Sequence, residues 1–277
     1  MPEKEIIIGI AGGMGPEAGV NLFNSIITHT RAGYDQQHLS VVLMSFPKTI
    51  ADRTAFLDGK VTVNPAYAVA NIVQKLEAAG AGIIGLACNT VHAPSIYDVI
   101  VAELEKFNSK SLLLHMPYET CRFINEHQHG VHRVGLMTTN GTYNSGVYQS
   151  LLKQWGYEVV LPEKGFQHKV IHRMIYDPVF GIKSSPGIIT REVNLLLNRA
   201  MAFFKKEKAD AVILGCTELS LILKQRTMKG VVVIDSTEAL AKALIRESCR
   251  SVNGHQSIVI SQQPLISKSI GHLISSK

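Results

Sequence analysis

Apolar positions along the chain fall into two alternating patterns: short β-branched runs bounded by glycine or proline, and longer segments with apolar residues at helical spacing. The short runs predict strands over residues 5–11, 38–46, 83–88, 111–115, 157–161, 211–216 and 231–234, and a strand and turn together over 133–142. Helical spacing predicts helices over 18–30, from Asn64-Pro65 to Gly80, after Pro94, up to His127, over 185–208, and along the D-S-T-E-A-L-A-K-A-L stretch after residue 234. Asn64-Pro65 and Ser185-Pro186 each read as a capping residue followed by proline at the first helical position. Alternating strands and helices place the chain in the α/β class with mostly parallel sheets.

The pattern also repeats. The separations between Gly9 and Gly135, Gly15 and Gly141, Val41 and Val159, and Cys88 and Cys216 are nearly constant. Two copies of one α/β unit would give this, as two similar lobes related by a pseudo-twofold axis, each a mostly parallel sheet flanked by helices. Chance alignment of short apolar strands is the plainer explanation. The expected division is a first lobe of 1–116 plus 231–250, returning at the end, a second lobe of 117–230, and a tail of 251–277 that contains no Asp or Glu and has no assigned role.

The repeat matters for chemistry because each copy has a cysteine where an apolar strand meets a polar turn: A-C-N-T-V-H at Cys88 and G-C-T-E at Cys216. The carboxyl ends of strands are where open α/β sheets bind ligands. Two thiols approaching one small molecule from opposite faces could serve as base and acid at a carbon next to a carboxylate. Amides at a helix N-terminus after each cysteine would bring the thiol pKa towards neutrality, and Asn89, Thr90 and Thr217 could hold the carboxylate. Taken singly, each cysteine reads equally as a packed core residue. Glu218 could tune the Cys216 thiol or cap a helix.

Other motifs add to that rim. G-G-M-G-P-E-A-G after the first strand is a glycine turn opening onto a helix, read either as a tight turn or as a small carboxylate site; its spacing departs from a dinucleotide fingerprint. Arg53 lies in the loop after the second strand, on the same rim as Cys88, where a guanidinium could grip a carboxylate. Cys88 and His92 have the spacing of half a metal site, but no second half follows and no metal is expected. Lys169, Arg173 and Tyr176 share a helix; Lys169 as a Schiff-base lysine for pyridoxal phosphate lacks a phosphate loop.

Composition narrows the classes. A net charge of +6 is spread along the chain and aromatic residues make up only 6%, which argues against a nucleic-acid surface. No apolar run is long enough to span a bilayer and the start lacks the pattern of a signal peptide, so the expected place is the cytosol. Four cysteines without a C-x-x-C suit a reducing compartment, with Cys121 and Cys249 as ordinary packed residues.

Together G-I-A-G-G-M-G-P, D-R-T-A-F, A-C-N-T-V-H-A, S-G-V-Y, M-I-Y-D and G-C-T-E-L-S resemble the aspartate/glutamate racemase family, in its aspartate racemase branch, collinearly from about Ile6 to Ala243. The resemblance implies cofactor-independent racemisation of a small dicarboxylic amino acid between two α/β lobes of a homodimer, with no part for a membrane or nucleic acid. It implies Cys88 and Cys216 as the acid/base pair, Asn89, Thr90, Thr139 and Thr217 as α-carboxylate or amino contacts, Met14 as a lining residue, Arg53 with Lys169 for the side-chain carboxylate, and Glu218 and His92 behind them. Asn140 and the tail beyond Arg250 depart from the family pattern. A maleate-type isomerase, in which cysteine adds to an alkene, and a non-catalytic binder of acidic amino acids remain as alternatives. Two cations favour a dicarboxylate, and aspartate is favoured over glutamate.

Overall fold

The computed structural model describes residues 6–184 and 188–250. Strands β1 (Ile7–Gly12), β2 (Val41–Ser45), β3 (Ala81–Leu86) and β4 (Leu112–Leu114) are joined through helices α1 (Pro16–His29), α2 (Arg53–Leu57) and α3 (Ala66–Ala78), then α4 (Pro94–Lys106). Next come α5 (Met116–His127), β5 (Arg133–Thr138), α6 (Asn140–Ser145), α7 (Val147–Gln154) and β6 (Glu158–Val160). A helical stretch follows, α8 (Lys164–Phe166), a π-helical turn Gln167–His172 and α9 (Arg173–Tyr176), then α10 (Arg191–Lys206) and β7 (Ala211–Gly215). The chain closes with α11 (Leu219–Ile222), β8 (Thr227–Met228), β9 (Val231–Asp235) and α12 (Ser236–Arg250).

The two sheets have the same plan. The first runs β2-β1-β3-β4 and the second β6-β5-β7-β9, with β8 added at its edge. All pairings are parallel except β8 with β9. Equivalent registers underlie the repeat: Gly9 lies opposite Ile84 in the first sheet, and Gly135 opposite Val212 in the second. Each strand is apolar on both faces because helices cover both faces. The first sheet is packed between α3 and α4 on one side and α1 and α12 on the other; the second lies between the 164–176 stretch with α10, and α5 with α7.

Two expectations are corrected. The strand at 231–235 does not return to the first lobe: its V-V-V-I run pairs in parallel with β7, Ala211 opposite Val232, and extends the second sheet. Only α12 crosses back, laying Leu240 and Leu244 on β3 at Gly85, where a Cβ would come within 2.9 Å of Leu244. The second helix of the pair begins at Arg191, with the Thr190 hydroxyl accepting the Val193 N–H at 3.2 Å; the Ser185-Pro186 cap lies outside the described residues. Elsewhere the Asn64 side chain accepts the Ala66 N–H at 3.0 Å, as the cap pattern predicts.

Candidate active site

The strand ends of the two sheets meet at a narrow cavity of about 10 Å³ lined by Met14, Arg53, Cys88, Asn89, Thr90, Thr139, Tyr176, Lys183, Cys216, Thr217 and Glu218.

On the first-lobe side the glycine turn after β1 places Met14. Gly13 has φ +91° and a Cβ there would lie 2.9 Å from the Phe46 backbone nitrogen, so the turn can form only with glycine. The Met14 carbonyl accepts a 2.6 Å hydrogen bond from Arg53 Nη2, and the Ala51 carbonyl one of 3.3 Å from Nη1. Arg53 is 7% exposed, and its Nε meets no acceptor in hydrogen-bonding geometry among the described residues. Burial alone would lower the Arg53 pKa; the facing Cys88 sulfur, Tyr176 and Asp52 outweigh it, so the pKa is raised and the guanidinium stays charged. The residues expected to be a loop here form α2, whose N-terminus Asp52 caps through the Ala55 N–H at 2.8 Å.

Beyond Cys88, Asn89 is fixed on both sides: its Oδ1 accepts the Tyr148 hydroxyl at 2.6 Å and its Nδ2 donates to Ser236 Oγ at 3.0 Å. The Thr90 hydroxyl meets Thr139 at 3.0 Å and Thr142 at 2.9 Å, joining the lobes through a buried cluster. Gly141 is pressed into the same seam, where a Cβ would lie 2.8 Å from both Thr54 Oγ1 and Thr90 Cγ2.

His92 does not line the cavity. Its Nδ1–H donates to the Cys88 carbonyl at 2.8 Å and its Nε2 accepts the Met116 N–H at 3.2 Å, which occupies both ring nitrogens. Burial lowers its pKa to about 4, against the pull of backbone carbonyls, so it is neutral at pH 7. It packs edge to face with His115 at 4.7 Å. No group of three His, Cys, Asp or Glu positioned to hold a metal occurs among the described residues.

The second-lobe side carries opposite charge at the sulfur. Cys216 Sγ donates to Glu218 Oε2 at 2.9 Å, Thr217 Oγ1 donates to the same oxygen at 3.2 Å, and Lys183 forms an ion pair with Oε1. Burial raises the Cys216 pKa well above its ordinary value, and the Glu218 charge and hydrogen bond add to it while Lys183 opposes. Burial also disfavours a charged Glu218, but Lys183 and the thiol outweigh it and its pKa is lowered. The expectation that a helix N-terminus would lower this thiol's pKa is therefore corrected: only the four-residue α11 follows, and a carboxylate holds the proton on sulfur.

Lys169 is corrected as well. It is exposed, on the π-helical turn, and is not among the cavity-lining residues; Lys183, seven residues after Tyr176, takes the place expected of it. The helix turns Lys169 outward, while the chain after α9 folds Lys183 back over the Tyr176 ring at 5.5 Å. Asn140 also stays out of the cavity, its side chain meeting His168 at 2.9 Å and accepting from Gln167 at 3.3 Å. Cys121 is buried in the second-lobe core and Cys249 is exposed.

A family model described as Asp/Glu/Hydantoin racemase matches residues 11–244. A broad specificity amino-acid racemase of Bacillus subtilis is 26% identical over 244 residues, covering 86% of this chain and 96% of that protein. Among solved structures, Picrophilus torridus aspartate racemase aligns with TM-score 0.70 and 30% identity, covering 88% of this chain and 94% of its own. An aspartate racemase homologue from Pyrococcus horikoshii aligns with TM-score 0.65 and 25% identity, covering 87% and 98%.

Proposed function

The chain belongs to the Asp/Glu/hydantoin racemase family, and from that premise we propose that it interconverts the enantiomers of an acidic amino acid, aspartate first, by proton transfer between Cys88 and Cys216. The observation that carries this reading is that both thiols line one small cavity at the carboxyl ends of equivalent strands. Cys88, beside the Arg53 cation, takes the α-proton as a thiolate and becomes a thiol. Cys216, held as a thiol by Glu218, gives its proton to the opposite face of the carbanion and becomes a thiolate. The configuration inverts, and a net proton moves from substrate to Cys88 and from Cys216 to product. Return of a proton to Cys216, with Glu218 at 2.9 Å as the adjacent relay, resets the site. Every proton transfer is assigned to a side chain, and none is routed through a cofactor.

Charge supports an acidic substrate. Lys183 is balanced by Glu218, so Arg53 is the cation left to the Cys88 thiolate and to a substrate carboxylate. Arg53 Nε is an unmatched donor for a carboxylate. Thr90, Thr139 and Thr217 offer hydroxyls, and Asn89 an amide, to the α-carboxylate and ammonium groups. One observation favours a second reading, a racemase of broader specificity: Lys183 is already paired with Glu218, so only Arg53 is left to select a second carboxylate.

Proton NMR of L-aspartate, L-glutamate and L-alanine incubated with the protein in D2O tests both. Loss of the Cα–H signal with appearance of the D-isomer for the acidic pair alone is expected. Equal exchange of alanine would establish the broader reading, and no exchange in folded, reduced protein would refute racemisation.

A further inference from the structure

Of the cavity-lining residues, Met14, Arg53, Cys88, Asn89, Thr90, Thr139, Cys216, Thr217 and Glu218 are buried, and Tyr176 and Lys183 alone are partly exposed. The route from solvent to the thiols therefore passes where those two side chains stand. They belong to one segment and touch, Lys183 Nζ lying 5.5 Å from the Tyr176 ring centroid, with His172 stacked on the ring at 4.7 Å. Tyr176 comes from the second lobe, yet its hydroxyl donates to Asp52 Oδ2 of the first lobe at 3.1 Å. Asp52 is half-buried and immediately precedes Arg53.

The cross-lobe contacts at Thr90, Thr139, Thr142, Gly141 and Asn89 are of another kind, since all are buried and several are tied to more than one partner. They form the fixed seam. The Tyr176–Asp52 bond is a partly solvated hydrogen bond on the open side of the cavity. We propose that Tyr176 is the gate of the site and that its hydrogen bond to Asp52 is the latch: breaking it lets the Tyr176 ring swing from the cavity, with Lys183 held on Glu218, and admits a small molecule to Cys88 and Cys216. The inference rests on the reading that these two thiols act on a ligand, but its test does not require turnover.

The test is site-resolved alkylation by iodoacetamide, followed by mass spectrometry, in the full chain and in its Tyr176→Phe and Asp52→Asn variants. Phenylalanine keeps the ring and loses the latch, and asparagine keeps the helix cap while giving up the accepting carboxylate oxygen. Cys121, in the core, reports general loosening. Loss of one such hydrogen bond should raise the rate at Cys88 and Cys216 about fivefold in either variant, leave Cys121 protected, and add nothing further in the double variant. Unchanged rates at the two cavity thiols would overturn the latch. A parallel rise at Cys121 in both variants would overturn it too, showing a contact that merely holds the fold together. Alkylation that follows the latch while no amino acid exchanges its α-proton would leave the gate standing and remove the racemase.

Discussion

Cys88 and Cys216 end equivalent strands of two sheets built to one plan, yet what surrounds each sulfur differs. Cys88 faces the Arg53 guanidinium and has a neutral, buried His92 hydrogen-bonded to its carbonyl. Cys216 donates to a carboxylate that is itself held by Lys183. The backbone repeat sets two thiols against one cavity; in the proposed scheme Glu218 and burial keep the proton on Cys216. Enantiomers have equal free energy in water, so kcat/KM must be the same in both directions. An unequal resting protonation can then appear only as kcat and KM moving together between the L and D substrates.

Removing either sulfur is the strongest test of that division of labour. Cys88→Ala and Cys216→Ala should each lower racemisation of aspartate by about 10³-fold or more, the scale of a lost acid/base group. They should part company in single-enantiomer exchange: a variant lacking Cys216 retains the Cys88 base and can still wash deuterium into the enantiomer whose Cα–H faces Cys88. Chiral chromatography together with NMR in D2O reads both quantities, and a single variant racemising at the parental rate would sink the two-thiol scheme.

The lysine correction gives the next test, in stability rather than rate. In Lys183→Met the buried Glu218 carboxylate loses its counter-charge beside Cys216, and the cost should be about 3 kcal/mol, at the low end for breaking a buried pair because Lys183 is partly exposed. Lys169→Met, on the exposed side of the π-helical turn, should stay within about 0.5 kcal/mol. Urea unfolding curves compare the two directly. Equal midpoints would mean that the Lys183–Glu218 pair contributes nothing to the Cys216 side.

How far the sequence foretold this follows the same line. The strand ends, both cysteines, Gly13 and Arg53 were legible because each sits within a few residues of a periodic element whose direction the apolar pattern sets. Lys183 was not. Between Tyr176 and Thr190 the chain has no period, and the reach of a side chain there depends on turns closed by contacts such as the Gly181 N–H to the Asp177 carbonyl at 2.9 Å. Lys169 failed for a related reason, since a π-helical turn advances the chain by a different angle per residue and moves its side chains off the face that α-helical spacing predicts. The strand at 231–235 is legible as a strand but its sheet is not, because an apolar run shows that a strand forms and says nothing of its neighbour.

Acid should separate the two cysteine settings in stability, through groups that shift in the same direction from different starting points. His92 has its pKa lowered to about 4 by burial, against an ordinary value near 6.5. Between those values the unfolded chain takes up a proton that the folded one refuses, so folding weakens as pH falls. From pH 7 to pH 4.5 the loss from His92 is about 2 kcal/mol. His115, lowered by burial and by its neighbour His92, adds to the loss in the same direction. Glu218 behaves differently: its pKa is lowered by Lys183 and the Cys216 thiol against burial, so its stabilisation is intact above the ordinary carboxylate range and is lost only as pH falls through its depressed folded value. Mild acid therefore weakens the Cys88 side first. In His92→Gln the drop in unfolding free energy between pH 7 and pH 4.5 should shrink by about 2 kcal/mol, while the loss at lower pH, where Glu218 takes its proton, persists. Urea titrations at four pH values measure it, and identical pH profiles for the variant and the parent would show that His92 titrates alike in the folded and unfolded chain and that the two thiols do not differ in this way.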